Sequence, residues 1–409
     1  MKINATLQRA TYPLAIFRQR NFSLLWCSMT SAGMGTQTEN LVLGWFVLNL
    51  TDSPLLVGLV ASARMALNFM AVLAGAVADR VPRQRLLATV EFSMALLGLG
   101  MLVLIFSGLL EVWHIFALTA GAGMFRLFQN PAAQSMVADT LTEDRIANGA
   151  ALTNTGRNMT TVIGPLIGGI LFQKFGPEGA FTFIAALYFL SGIFALSIGN
   201  ISRTRRREGE SILRSIVEGV KYAKGQQVLW AILILAVIIN FTGWPLHTSL
   251  MPIFARDVLG TGSTGLGMLM SAFGVGALLG SMVWASSRNI KSPGKLLILA
   301  VIFWHLSMVA FSASSSFYLS LAILLVTGAS FSSSQVLILT LVLKTTLPEF
   351  RGRILGLRSL SIYSFTFGSM NSGAIAGTWG APWAANINAA IGIVLVGILA
   401  LFTPKLRRA

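Results

Sequence analysis

The chain has 409 residues, 55% of them hydrophobic and only 11% charged, and its mean hydropathy is +0.74. A soluble domain carries about 25% charged residues, so the composition excludes a water-soluble globular protein. Apolar windows of about 20 residues recur along the whole length, which points to bilayer-spanning helices and not to the short alternating segments of a β-barrel.

The first 20 residues are mixed and basic (Lys2, Arg9, Arg18, Arg20) and lack the continuous apolar run of a cleavable signal peptide. About twelve spans are then expected, near 22–48, 55–77, 86–107, 112–137, 147–173, 179–199, 228–254, 265–286, 295–314, 317–342, 354–377 and 382–403. The single cysteine, Cys27, leaves no intramolecular disulfide and no thiolate metal cluster. Residues 200–227 form the one long connection. It opens with "RTRRREGE", and Ile212, Ile216 and Val220 are then spaced as on one helical face. That spacing predicts an amphipathic helix on the cytoplasmic surface. The chain thus reads as an all-α membrane protein with a six-helix half at 1–199, a linker at 200–227 and a second six-helix half at 228–409.

The formal charge of +16 would suggest nucleic acid on a soluble protein, but here it follows the topology. With the spans placed as above, about 25 lysines and arginines fall on one side and two, Lys174 and Arg256, on the other. The asymmetry puts both termini in the cytoplasm of a multi-pass protein of the cytoplasmic membrane, with an even number of spans. The halves also repeat. "TLTEDR" (140–145) and "TLPEFR" (346–351) fall at matching junctions, and "DSPLLVGLV" (52–60) and "TGSTGLGML" (261–269) precede matching spans. Parallel six-span repeats with a site between them are one transporter architecture.

Three motifs carry chemistry. "GAVADRVPRQR" (75–85) links spans two and three; its acid among arginines is also what an ordinary basic cytoplasmic loop would show. The pattern G-x-x-x-D-R-x-x-R, at this position, closely resembles the signature loop of the major facilitator superfamily. The resemblance implies a cytoplasmic charge latch made by Gly75, Asp79, Arg80 and Arg83, with Asp139 as the partner acid at the end of span four. Pro82 stands where the family often has glycine, and the second-half copy, "WASSRNIKSPGK", has no aspartate, so a single latch is expected. "TTVIGPLIGG" (160–169) places Gly164, Pro165, Gly168 and Gly169 in span five, where small residues allow close helix contact. It resembles the family's exporter motif, with Thr160 in place of the first glycine. "FRLFQNPAA" (125–133) resembles the family's R-x-x-Q-G motif through Arg126 and Gln129, with Asn130 in place of glycine; the resemblance links Arg126 to proton transfer. "FRQRNFSLLW", "LNLTDSPLLVGLV" and "LMPIFARDVLG" resemble the enterobactin-exporter and macrolide-efflux branch.

A charge near mid-bilayer costs about 2.5–3.5 kcal/mol on insertion scales, so each one needs a reason. Glu39, Arg64, Arg126, Arg157 and His247 are the expected buried candidates, and Glu39 the one acid expected deep in a span; Glu91 and Asp139 are expected to join the latch near the cytoplasmic ends. Glu39 and Arg64 both lie roughly 15 Å from the outer ends of their helices, so a pair between them is one possibility. Glu39 either neutralises an arginine or carries protons, and it is also a candidate substrate ligand. In the family fold Glu39, Arg126, His247 and Gln335 supply one polar residue from each cavity helix, with Arg157 flanking them. Trp45, Phe69, Phe125, Phe128, Trp244 and Trp304 are candidate wall residues. No H-E-x-x-H motif or cysteine–histidine pair suggests an enzyme, and no cofactor or metal is implied. The resemblance implies a monomeric, proton-coupled exporter of small amphipathic molecules such as drugs or siderophores, surrounded by lipid and working by alternating access. A lipid flippase, an uncoupled facilitator and a non-transporting membrane sensor remain as alternatives.

Overall fold

The computed structural model describes residues 14–66, 81–199, 212–286 and 290–409. Among these there is no strand. The helices are α1 (Arg20–Thr51), α2 (Pro54–Ala66), α3 (Arg83–Phe106), α4 (Val112–Asp139), α5 (Ile146–Leu196), α6 (Ile212–Lys224), α7 (Gln227–Val258), α8 (Ser263–Ala285), α9 (Pro293–Ser312), α10 (Phe317–Thr345), α11 (Pro348–Leu360), α12 (Tyr363–Trp379), α13 (Ala381–Phe402) and a short α14 (Pro404–Arg408). Among the described residues, seven helical stretches are long and apolar enough to cross a membrane: α3, α5 with the turn before it, α7, α8, α9, α10 and α13. The 32-residue α1 is not one of them, because Thr36, Gln37, Thr38, Glu39 and Asn40 interrupt its apolar run.

The 51 residues of α5 would extend more than 75 Å if straight, over twice the roughly 30 Å hydrocarbon core. They do not run straight. Gly176 takes φ +66° and ψ −171°, outside helical geometry, and breaks the run into two arms. Pro177 follows, where a new helix tolerates a missing N–H. The junction of α12 and α13 is built the same way, with Gly380 at φ +86° and Pro382 in the first turn of the next helix. The expected eleventh span at 354–377 is not one helix: the chain turns at Ser361 and Ile362, between α11 and α12.

The chain packs as two compact units, residues 14–39 with 81–199, and 40–66 with 212–286 and 290–409. In the first, Phe22, Leu25, Leu87, Met136 and Ala195 bring α1, α3, α4 and the second arm of α5 into one apolar core. In the second, α8 and α10 are packed backbone to backbone. A Cβ on Gly276 would lie 2.0 Å from the Leu325 carbonyl oxygen, and one on Gly328 2.0 Å from that of Phe273. Gly276 and Gly280 are four apart on one face, the spacing that lets apolar helices approach closely in lipid. The amphipathic α6 does not lie alone: Tyr222 stacks on Phe350 of α11 at 4.1 Å, and Glu218 pairs with Arg353 at 3.1 Å.

Gly276→Ala is therefore expected to cost about 1–3 kcal/mol by forcing α8 and α10 apart. Gly377→Ala, with nothing within 4 Å of the new methyl, is expected to be neutral or mildly stabilising. Thermal unfolding midpoints in detergent compare the two; equal midpoints contradict this packing.

Candidate functional site

Thr38 and Glu39 of the polar run of α1 are buried, and α5 offers that stretch a surface without side chains. A Cβ on Gly164 would sit 2.7 Å from Gln37 Cβ, and one on Gly168 3.0 Å from Thr38 Cγ2. The Thr38 hydroxyl donates to the Gly164 carbonyl at 3.1 Å. Pro165 and Gly169 are buried on the same helix. Gly164 and Gly168 of the span-five motif thus bring α1 close enough to fix Glu39 one residue further on.

Glu39 is only 6% exposed. Its Oε2 accepts from Arg126 Nη2 of α4 at 2.5 Å and from the Tyr188 hydroxyl of α5 at 2.8 Å. Having given its one proton to Glu39, the Tyr188 oxygen accepts from Arg126 Nη2 at 2.9 Å and from the Thr36 hydroxyl at 3.1 Å. Glu39, Arg126 and Tyr188, from three helices, so close a polar ring, with Thr36 bonded to its phenol. Arg126 Nε, beside this ring, is buried with no hydrogen-bond partner.

A second buried acid lies beside it. Glu91 of α3 is 1% exposed and accepts from Gln129 Nε2 at 2.7 Å, while its Oε2 has no partner. This corrects the expectation that Glu39 is the one deep acid and that Glu91 joins the latch: α3 begins at Arg83, so Glu91 lies more than two turns inside the helix. Arg126 and Gln129 are three apart and share a face of α4. The R-x-x-Q spacing thus serves two acids at once, the arginine reaching Glu39 and the glutamine reaching Glu91.

Of the latch residues, Arg83 Nη1 pairs with Asp139 Oδ2. Gly75, Asp79 and Arg80 lie outside the described residues, as does Phe69. Arg157 is exposed, which corrects the expectation that it is buried. The packed face of α5 is marked by Gly156, Thr160, Gly164 and Gly168, and Arg157 is turned about 100° away from Gly156. Arg64 is half-buried on α2, within the second unit. The cation that Glu39 holds within its own unit is Arg126.

In the second unit, His247 is buried in an aromatic cluster, 3.7 Å from the Phe273 ring and 5.9 Å from Trp244, between centroids. Neither of its ring nitrogens has a hydrogen-bond partner. Trp304 is fully buried in the same cluster. Gln335 of α10 accepts from Arg358 of α11.

Tyr188 was not among the sequence candidates. Within "AALYFLSG" it reads as one more aromatic of an apolar span, and the only signal is that a phenol in a span needs a polar partner.

Seven apolar helices long enough to cross a membrane, among the described residues, define a polytopic α-helical membrane protein. The chain shares its fold with the crystal structure of the nucleoside transporter NupG, at a TM-score of 0.77 with 12% identity, over 94% of this chain and 99% of that one. A family model described as transmembrane secretion effector matches residues 11–409, and the chain belongs to that family, within the major facilitator superfamily. It is 26% identical to the multidrug efflux pump Tap of Mycolicibacterium fortuitum over 94% of this chain and 95% of that protein. It is 23% identical to the enterobactin exporter EntS of Shigella boydii serotype 4, over 96% and 92%. It is a transporter, not an enzyme.

Arg126→Ala would leave the Glu39 carboxylate buried without its cation, at an expected cost of about 3–5 kcal/mol. Adding Glu39→Ala should recover much of that loss, because the stranded charge is gone. A double-mutant cycle on unfolding midpoints measures the coupling; strictly additive effects contradict a working pair.

Proposed function

We propose that this chain is a proton-coupled exporter of small amphipathic organic molecules, working by alternating access between two six-helix halves at 1–199 and 228–409. The family and the efflux roles named for Tap and EntS support the export direction. The paired sequence motifs, together with the matching glycine junctions at Gly176 and Gly380, support a twelve-helix repeat with both termini in the cytoplasm. The linker, 200–227, joins the halves, and the protein acts as a monomer.

The observation that carries the coupling is the ring around Glu39. A carboxylate held at once by a guanidinium and a phenol can lose that grip when it takes up a proton, because a neutral acid no longer attracts Arg126 as a counter-ion. A substrate that bonds to the Glu39 carboxylate competes with that proton, so proton entry releases it. The spare Arg126 Nε donor supports substrates with an anionic or strongly hydrogen-bond-accepting group. In this reading Glu39 and Arg126 couple protons, while Arg64, Arg157, His247 and Gln335 contribute to the substrate path. Arg83 and Asp139, together with Gly75, Asp79 and Arg80, latch the cytoplasmic side.

Thermal stabilisation of purified protein against a chemical library at two pH values identifies a substrate. In proteoliposomes, Glu39→Gln is then expected to abolish transport driven by a proton gradient while retaining counterflow of that substrate. Proton-driven transport at the unaltered rate in Glu39→Gln overturns the assignment. No flux under any gradient in the unaltered protein would favour the sensor reading.

A further inference from the structure

A groove of about 320 Å³ opens among α6, α7 and α11 of the second unit. Its lining is apolar apart from Lys224 and Ser361, and contains no acid. Trp230, Ile234 and Val237 recur along one face of α7 and run about 10 Å down the helix. Leu357 and Leu360 of α11 form the opposite wall. Ile234 and Val237 are 43% and 45% exposed, which on a helix of bilayer length means exposure to acyl chains.

The loop end of the groove differs from its floor. Lys224 of α6 forms part of the wall there, and Lys221, one turn before it on α6, is exposed as well. Trp230 stands between these cations and the apolar stripe, the order of charge, aromatic ring and hydrocarbon found at a membrane interface. The helix that carries the lysines is held to α11 by the Tyr222–Phe350 stack and the Glu218–Arg353 pair, so Glu218 is engaged elsewhere.

We infer that this groove binds a phospholipid with an anionic headgroup, one acyl chain lying along the Trp230–Val237 stripe and the phosphate against Lys224 and Lys221. Basic residues on an amphipathic helix beside a span favour anionic lipid by an amount that corresponds to about fivefold in affinity per lysine. The site does not depend on proton coupling or on the direction of transport.

Bromine-labelled lipids test it directly, because they quench nearby indoles. The full-length protein is reconstituted in phosphatidylcholine with increasing fractions of brominated phosphatidylglycerol or brominated phosphatidylcholine. Subtracting the Trp230→Phe variant isolates the Trp230 signal. Half-quenching is expected at a fraction at least about fivefold lower for the anionic lipid, and Lys221→Gln with Lys224→Gln should bring the two lipids together. Added salt should weaken the preference in the unaltered protein, which keeps the test valid if the double variant folds poorly. Equal quenching by both lipids means ordinary solvation by the bilayer and overturns the proposal. A preference that survives removal of both lysines overturns it too. So does an absence of Trp230 quenching by either lipid, which would mean that protein fills the groove.

Discussion

The carboxylate of Glu39 and the guanidinium of Arg126, 2.5 Å apart, set the terms for the first unit. Each ion alone is costly inside a bilayer. Together, with the Tyr188 hydroxyl donating to the same oxygen, they form a neutral, hydrogen-bonded group that a helix bundle can enclose. The arrangement demands that α1, α4 and the second arm of α5 meet at one level. It also explains why the middle of α1 forgoes the hydropathy of a typical span.

The first arm of α5 also lies close to α1 at this level, and small residues allow that approach. Gly164 and Gly168 let the polar face of α1 press on α5, and Thr38 takes a backbone carbonyl as its acceptor instead of water. The same device recurs in the second unit, where Gly276 and Gly328 bring α8 and α10 into backbone contact. In lipid there is little hydrophobic gain from pressing helices together, so shape and hydrogen bonds decide which faces pair. The first unit uses the close contact to house a charge. In the second, Gly243 lies so close to the Trp304 ring that a Cβ would approach within 2.6 Å, and His247 shares that aromatic cluster.

Much of this was legible in the chain. Apolar run length gave the helices, and the glycine–proline pair in "FGPEG" marks the break in α5. Burial of Glu39 and the presence of Arg126 in a span were both readable, but their pairing was not, since nothing local relates residues 87 positions apart. Arg64 looked as suitable by depth alone. The exposure of Arg157 was readable in principle: the i, i+4 series from Gly156 to Gly168 marks the packed face, and Arg157 is off it. The depth of Glu91 is hard to read from the chain, because a helix start shifted by three residues turns a buried acid into an interfacial one. The turn at Ser361 and Ile362 carries neither glycine nor proline and gave no local signal.

Proton coupling requires that the acid in that ring exchange its proton in step with substrate. Substrate is added to purified protein in weakly buffered detergent solution, and the pH change is followed with an indicator dye. Competition between proton and substrate predicts that the unaltered protein releases protons on binding and that Glu39→Gln binds the same compound with no release. Equal release from both proteins would contradict it, leaving the Glu39–Arg126 pair as a structural clasp and nothing more.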